Sequence, residues 1–529
     1  MHRRHFIAAT AGLAAAGLAR PLRAAAASPR VLRFVPQANL TSLDPIWTTA
    51  AVTTNHAFNV FDTLYGMDDA LNVRPQMAEG HTVSDDGLTW EIRLRDGLRW
   101  HDGEPVLARD CVASLQRWCR RDTFGQSLGA RVAEWGTRDD RTLRIRLHRP
   151  FPLMLEALGK PNATLPFMMP ERLAKTDPFK QVQEMIGSGP YRFLPGEYVS
   201  GSRVAYARFE QYVPRQEAPE RTAGGKVAHF DRIEWHVMPD AATAAAALQA
   251  GEVDWWDQAH PDLVPLLQRN RNVTVAVNDP AGYVGTLRFN CLNAPFDNPA
   301  LRRAILFAVS QEDYMRAVTA NDAELFRTCH SMWPCGTPYG TEAGAEPLKG
   351  KRDLDRVKAM LREAGYKGER VVIINPTDMP SMAPFGLVTA DLLQRLGMNV
   401  ELVETDWGSV VQRRGSRAPV DQGGWSIFHT WWPSLSVYTP AINPILRGQG
   451  EKGWFGWYEN AEVEKLAEQW LDAPDDAARA AVAEAIQRQS FEQAPIVPLG
   501  QFFMRTAYRS DLSGFLPGSA PYAWNVRRG

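Results

Sequence analysis

The chain has 529 residues, 45% hydrophobic and 22% charged, an ordinary globular composition too long for one compact core, so two or three domains are expected. Lys+Arg number 59 and Asp+Glu 60, for a formal charge of −1. No long block of like charge is present to serve as a nucleic-acid stripe, and no nucleic-acid partner is expected.

The first element in chain order reads as an export signal. Arg3-Arg4 precede an Ala/Gly/Leu-rich apolar stretch over 6–18, and Ala24-Ala25-Ala26-Ala27 offer small-residue cleavage sites. The Arg-Arg-x-Phe-Ile core, with Arg20 and Arg23 close to the cleavage region, resembles a twin-arginine leader. The apolar run falls below the roughly 20 residues a membrane span needs, so a removed signal peptide over 1–27 is expected rather than an anchor. Its removal takes away four arginines and no acid, and takes the formal charge from −1 to −5. No later run is long and apolar enough to span a bilayer.

Residues 31–36 then alternate as a strand, and Leu43-Asp44-Pro45 breaks the pattern into a loop ahead of a helix over 55–65. A β-rich stretch follows. Residues 88–94 alternate at period two, Asp96-Gly97 turns, and 98–100 resume before Asp102-Gly103 turns again, which reads as a hairpin or meander. A helix over 107–118 and a strand over 143–147 complete that region. Gly187-Ser188-Gly189-Pro190-Tyr191 is punctuation, since two glycines and a proline do not sit inside regular structure. Strands over 232–237 and 273–277 flank an Ala-rich helix over 241–250. From Tyr283 the pattern becomes that of an α/β lobe: helices over 299–309, 354–364 and 385–396 alternate with strands over 371–374 and 400–403. Helices over 463–471 and 477–493 follow, and 495–499 leads back to a final β-rich stretch.

The five cysteines are an odd count and too sparse for a disulfide scaffold. Cys329 and Cys335 flank a short turn and either bridge in an oxidising compartment or remain a pair of buried thiols. Cys111 and Cys119 lie eight apart in a helical pattern, about 12 Å at about 1.5 Å per residue, too far for a mutual bridge, and read as core. No fourth ligand lies beside Cys329, His330 and Cys335, so no metal and no other cofactor is expected. Gly-x-Ser-x-Gly and His-Glu-x-x-His are both absent, which leaves an exported hydrolase as an alternative without a motif. The stretch from Gly448 to Gly453 matches Gly-x-Gly-x-x-Gly, but no long helix opens after it, and a dinucleotide site is not expected.

Several segments occur together in one order: Leu43-Asp44-Pro45, Arg74-Pro75-Gln76-Met77-Ala78-Glu79, Ser84-Asp85-Asp86-Gly87-Leu88-Thr89-Trp90, and the run from Leu94 through Trp100-His101-Asp102-Gly103 to Val106. Gly187-Ser188-Gly189-Pro190-Tyr191, Leu248-Gln249-Ala250-Gly251-Glu252-Val253-Asp254, Phe289-Asn290, Ala294-Pro295-Phe296-Asp297 and Leu301-Arg302-Arg303-Ala304-Ile305 continue the order. In this the chain resembles the extracytoplasmic solute-binding proteins of the oligopeptide, dipeptide and nickel ABC transporter family (family 5). Each segment also has a local reading as a turn, an element end or a helix face.

The resemblance implies an α/β, two-lobed periplasmic-binding-protein-like (type II) fold with a β-rich subdomain inserted in the first lobe. Lobe I is expected from 28–60, 188–282 and 496–529, the inserted subdomain from 61–187 and lobe II from 283–495, with crossings near Ala281-Gly282-Tyr283 and Pro495-Ile496-Val497. The implied protein is a periplasmic monomer and no enzyme. It closes on a peptide-like small organic solute and delivers it to the permease and ATPase subunits of an ABC importer; a metal chelate such as nickel is the alternative guest.

For the ligand groups, the densest aromatic run is Trp425-Ser426-Ile427-Phe428-His429-Thr430-Trp431-Trp432-Pro433, where the family lines its cleft. Consecutive tryptophans on one strand face opposite ways, so Trp431 or Trp432 is expected at the cleft. Trp47 and Tyr283 are the expected first-lobe counterparts. His429 either meets a carboxylate or metal chelate or is a packed core histidine. Dipeptide-binding relatives carry an acid just after this strand end for the guest's amino terminus, whereas Pro433-Ser434-Leu435-Ser436 stands here, which makes a free peptide amine a poorer guest group.

Overall fold

The structure is a computed structural model and describes residues 30–529; the expected signal peptide over 1–27 lies outside the described residues. Two large mixed sheets organise the chain. The first has seven strands in the spatial order Val273–Val277, Arg505–Arg509, Trp255–Trp256, Val31–Val35, Arg232–His236, Arg203–Arg208 and Tyr191–Phe193. Val31–Val35 is its parallel centre, paired with Arg232–His236 on one side and Trp255–Trp256 on the other. Such a centre is buried on both faces, and Leu32, Phe34 and Val35 are all buried.

The second sheet has six strands in the order Phe326–Arg327, Ile496–Phe502, Tyr283–Phe289, Ile427–Pro433, Arg370–Pro376 and Asn399–Thr405. Tyr283–Phe289 runs antiparallel to both neighbours, while Arg370–Pro376 is parallel to Ile427–Pro433 and Asn399–Thr405. Helices cover it, and their starts follow from the sequence. Asn298, Asp353, Asn460 and Asp475 each accept a backbone N–H from the first turn of the helix they precede, satisfying donors that a helix leaves orphaned.

Between the first two segments of the first sheet the chain builds a four-stranded antiparallel sheet, in the order Ala78–Val83, Thr89–Leu94, Thr142–Leu147 and Val132–Asp139. The helix Ala108–Trp118 packs on it, burying Cys111, with Cys119 buried just beyond its end. Residues 98–100, expected to resume the hairpin, make only an isolated bridge between Arg99 and Pro105. The helix expected over 55–65 is Ala51–Val60. It stops because Gly187 and Gly189 press on its last carbonyl: a Cβ on Gly187 would lie 2.0 Å from the Val60 oxygen, and the Gly189 N–H donates to that same oxygen at 2.9 Å. The Gly-x-Gly-Pro signature is therefore a close backbone approach.

The Asp44 signature is likewise structural. Its carboxylate is fully buried, takes a two-point ion pair from Arg117 at 3.2 and 2.7 Å, and accepts the Ile46 and Val182 N–H groups. This ties the loop after Val31–Val35 to the helix Ala108–Trp118.

Two short segments join the large sheets. One is residues 278–282, where Gly282 has φ 68° and a Cβ would lie 2.8 Å from the Phe502 carbonyl. The other is Phe503-Met504, between Ile496–Phe502 and Arg505–Arg509. The sequence places the return at Pro495-Ile496-Val497, with 496 opening lobe I. The seven-residue strand Ile496–Phe502 instead stays in the second sheet, because Tyr283–Phe289 needs an antiparallel neighbour on its free edge. Cys329 and Cys335, beside that sheet, are joined by a disulfide.

Candidate functional site

Where the two large sheets face each other, an inner and an outer cavity meet. The inner, narrow one is walled on one side by Gln37, Thr49 and Asn162 and on the other by Trp407, Arg414 and Trp432, with Trp431 at the strand end. The outer, wider one runs from Trp47 and Arg121 of the first half to Lys452, Trp454 and Phe455 of the second. Thr49 and Ala163 belong to both walls, so the two are adjacent.

The strand Ile427–Pro433 places the tryptophans. Trp431 turns toward the crossing, with its ring edge-on to Tyr283 at 5.0 Å and its indole N–H donating to the Ser381 hydroxyl at 3.2 Å. That hydroxyl donates onward to Gln258 at 3.0 Å, from one large sheet's surroundings to the other's. Trp432 turns the opposite way, 5.3 Å from the Trp454 ring. Period-two alternation separates them, and both reach the inner wall because the strand ends there. The indole N–H of Trp432 has no partner among the described residues.

His429 lies elsewhere. It is fully buried under the helix Ala383–Arg395, its Nε2 2.7 Å from the Thr389 hydroxyl and its ring against Phe385. Burial lowers its pKa to about 3, so the imidazole is neutral. Its place in the expected ligand set is corrected: a strand residue one step from the cleft face points into the opposite layer. Tyr283 is also set back, between Trp431 and Phe502. Of the five residues expected at the site, Trp47 lines the outer cavity, Trp431 and Trp432 the inner one, Tyr283 packs behind Trp431, and His429 is core.

The residue sequence reasoning missed is Arg414. It follows the helix Trp407–Arg413, whose side chain Asp406 caps, and an Arg-Arg pair at a helix C-terminus reads as solvated charge. Arg413 is half-buried and donates to the Gly423 and Gly424 carbonyls, and Arg414 is 2% exposed. Its guanidinium lies 4.8 Å from Phe455, 5.4 Å from Trp407 and 5.8 Å from Phe428 and Trp454. It reaches across to the Thr48 hydroxyl at 3.4 Å, while its Nε has no partner and no carboxylate pairs with it among the described residues. Burial lowers its pKa to about 9. A desolvated cation held by aromatic faces and lacking an anion is an arrangement that an anionic guest group would complete. The Trp454-Phe455-Gly456-Trp457 run was the one sequence signal that could have pointed here.

Arg121 holds the outer cavity's first-half wall. It donates to the Trp47 carbonyl at 3.0 Å and lies over the Trp47 and Phe179 rings at 5.1 and 5.2 Å. Desolvation lowers its pKa. Near the crossing, the Asp257 and Asp279 carboxylates each keep one oxygen without a partner among the described residues, and burial raises them to about 7 and about 6.

Two α/β lobes joined by two short crossings, with an aromatic chamber between them, define a bilobal solute-binding protein. Comparison with known sequences is consistent with that class. The chain belongs to the bacterial extracellular solute-binding proteins, family 5, whose profile matches residues 72–453. It is 38% identical over 524 residues, 99% of this chain and 98% of the relative, to a protein of Sinorhizobium fredii described as a probable peptide ABC transporter periplasmic-binding protein, y4tO. It is 24% identical over 516 residues, 95% of each chain, to the glutathione-binding protein GsiB of Escherichia coli. Among solved structures, the oligopeptide-binding protein AppA of Bacillus subtilis, in complex with a nonapeptide, superposes with a TM-score of 0.79 at 19% identity, over 95% of this chain and 100% of that one. All three are described as binding proteins.

Proposed function

We propose that this chain captures a peptide or peptide-like solute between its lobes and hands it to the permease and ATPase subunits of an ABC importer. It acts in the periplasm as a monomer, after export by a cleaved twin-arginine-type leader, and makes or breaks no bond in its guest. The proposed division is lobe I from 30–60, 188–282 and 503–529, the inserted subdomain from 61–187, and lobe II from 283–502. Trp47, Trp431 and Trp432 form the apolar walls, and Arg414 receives an acidic group such as a peptide's terminal carboxylate.

The observation that carries this reading is Arg414. A charge held from one lobe against Thr48 of the other, with no anion of its own, makes closure depend on what the guest brings. The relatives described as binding peptides support the solute class. Native mass spectrometry of protein taken gently from its host would show a retained peptide-like adduct, and Trp432→Ala would lose that adduct. Hydrolysis of added peptides by the pure protein, or peptide binding that Arg414→Gln and Trp432→Ala both leave unchanged, would refute the assignment.

A further inference from the structure

The outer cavity carries a charge surplus that the capture reading leaves unused. Its wall holds the cations Arg120, Arg121, Lys160, Arg417 and Lys452 against two acids, Asp122 and Glu451. Both acids are already engaged. Lys160 lies 2.5 Å from Asp122 with both side chains buried, and Arg417 lies 3.1 Å from Glu451. Arg120, Arg121 and Lys452 are left without a carboxylate partner among the described residues, and Arg121 is fixed by its ring contacts rather than free to swing into solvent. The inner cavity adds Arg414, nine-tenths buried and more, with an unpartnered Nε, and its wall offers no acid.

We propose that the guest is an anion with at least two acidic groups, one seated at Arg414 and another in the outer chamber near Arg121 and Lys452, and that it needs no free amine. The proposal rests on the solute-capture reading and names its substrate class. The physical reason is the closing chamber. Arg120 and Lys452 are exposed, but Arg121 is half-buried and Arg414 buried, and as the lobes exclude water a neutral or cationic guest leaves those two desolvated cations without a counter-charge. Each acid on the guest supplies one, while a guest ammonium would meet only carboxylates that already have partners. The aromatic faces between the two ends take the apolar stem of such a solute.

The test is calorimetric titration of ligand-stripped protein, at low and at 0.5 M salt. The probes are Ala-Glu-Glu, its N-acetylated form, Ala-Gln-Gln, Ala-Lys-Lys and citrate as a non-peptide polycarboxylate. Ala-Glu-Glu is expected to bind about tenfold or more tightly than Ala-Gln-Gln, with Ala-Lys-Lys weakest and acetylation changing affinity by less than about threefold. Arg121→Gln and Lys452→Gln should each weaken the acidic peptide about 5- to 20-fold and Ala-Gln-Gln by less than half that factor, with the loss shrinking in salt. Equal or tighter binding of Ala-Gln-Gln, a requirement for the free amine, or indifference to both substitutions overturns the anionic assignment and leaves peptide capture standing. If citrate alone binds, and needs Arg121, the peptide reading falls and the anionic one stands. If no probe binds, both fall.

Discussion

Replacing Arg414 by Leu is expected to shift the empty protein toward its closed form while weakening capture. Burial lowers the guanidinium pKa from 12.5 to about 9. At about 1.4 kcal/mol per unit that is an upper bound of roughly 5 kcal/mol for holding the charge desolvated. The four surrounding rings return about 0.5–1 kcal/mol each, which leaves a net cost on the order of 1–3 kcal/mol in the closed, empty state. In an open cleft Thr48 and the first-lobe wall withdraw while the four rings stay with Arg414, so water reaches one side of the guanidinium and part of the cost is absent. Leucine removes the cost and keeps the packing against Trp407 and Phe455, so the closed fraction of the empty protein should rise about 5- to 100-fold. The anion loses its partner at the same time, and affinity for an acidic solute should fall about 30-fold or more. Small-angle scattering, or a fluorophore pair with one dye on each lobe, reads the closed fraction, and titration calorimetry reads affinity. If the empty variant stays as open as the parent and binds as tightly, Arg414 plays no part in closure and the reasoning is wrong.

Two further perturbations follow from contacts away from the cavity. Arg131, 2% exposed, and Arg149 of the inserted subdomain both pair with Glu468 and Asp472 on the helix Ala461–Leu471 and just beyond it, at 2.8–3.3 Å. The double change Glu468→Gln with Asp472→Asn leaves the buried Arg131 charge unpaired across the lobes, and guest release should accelerate about 10- to 100-fold with little change in capture rate; stopped-flow traces with unaltered release would place this cluster outside the closing motion. Asp257, near the crossing, supplies the pH test. Its carboxyl is raised by burial to about 7, so the folded state holds its proton where the unfolded chain has lost it. The cost is absent below the unfolded value near 4, grows as pH rises, and is complete above about 7. Asp257→Asn should therefore raise the thermal midpoint at pH 8 and leave it unchanged at pH 4, and an equal shift at both values would exclude titration as the cause.

Local chemistry made much of this protein legible in its letters. The Asp and Asn caps, Gly251 after 241–250, the Asp-Gly turns and the alternation over 88–94 are short-range effects that the chain carries at each position. The ordered signatures gave the family, and the aromatic run gave Trp431 and Trp432. Tertiary structure decided what depends on residues far apart. Gly187 and Gly189 ended a helix more than a hundred positions upstream by backbone contact, and Ile496–Phe502 joined the second sheet because Tyr283–Phe289 offered it a ladder. The cleft shows the same division. His429 and Trp432 differ by three positions and fall on opposite layers, which alternation predicts but which layer is wet does not follow from it. Arg413 and Arg414 are identical neighbours. One is half-buried and donates to the Gly423 and Gly424 carbonyls, and the other is caged among Trp407, Phe428, Trp454 and Phe455, because a side chain's dielectric surroundings are set by what the whole fold packs around it.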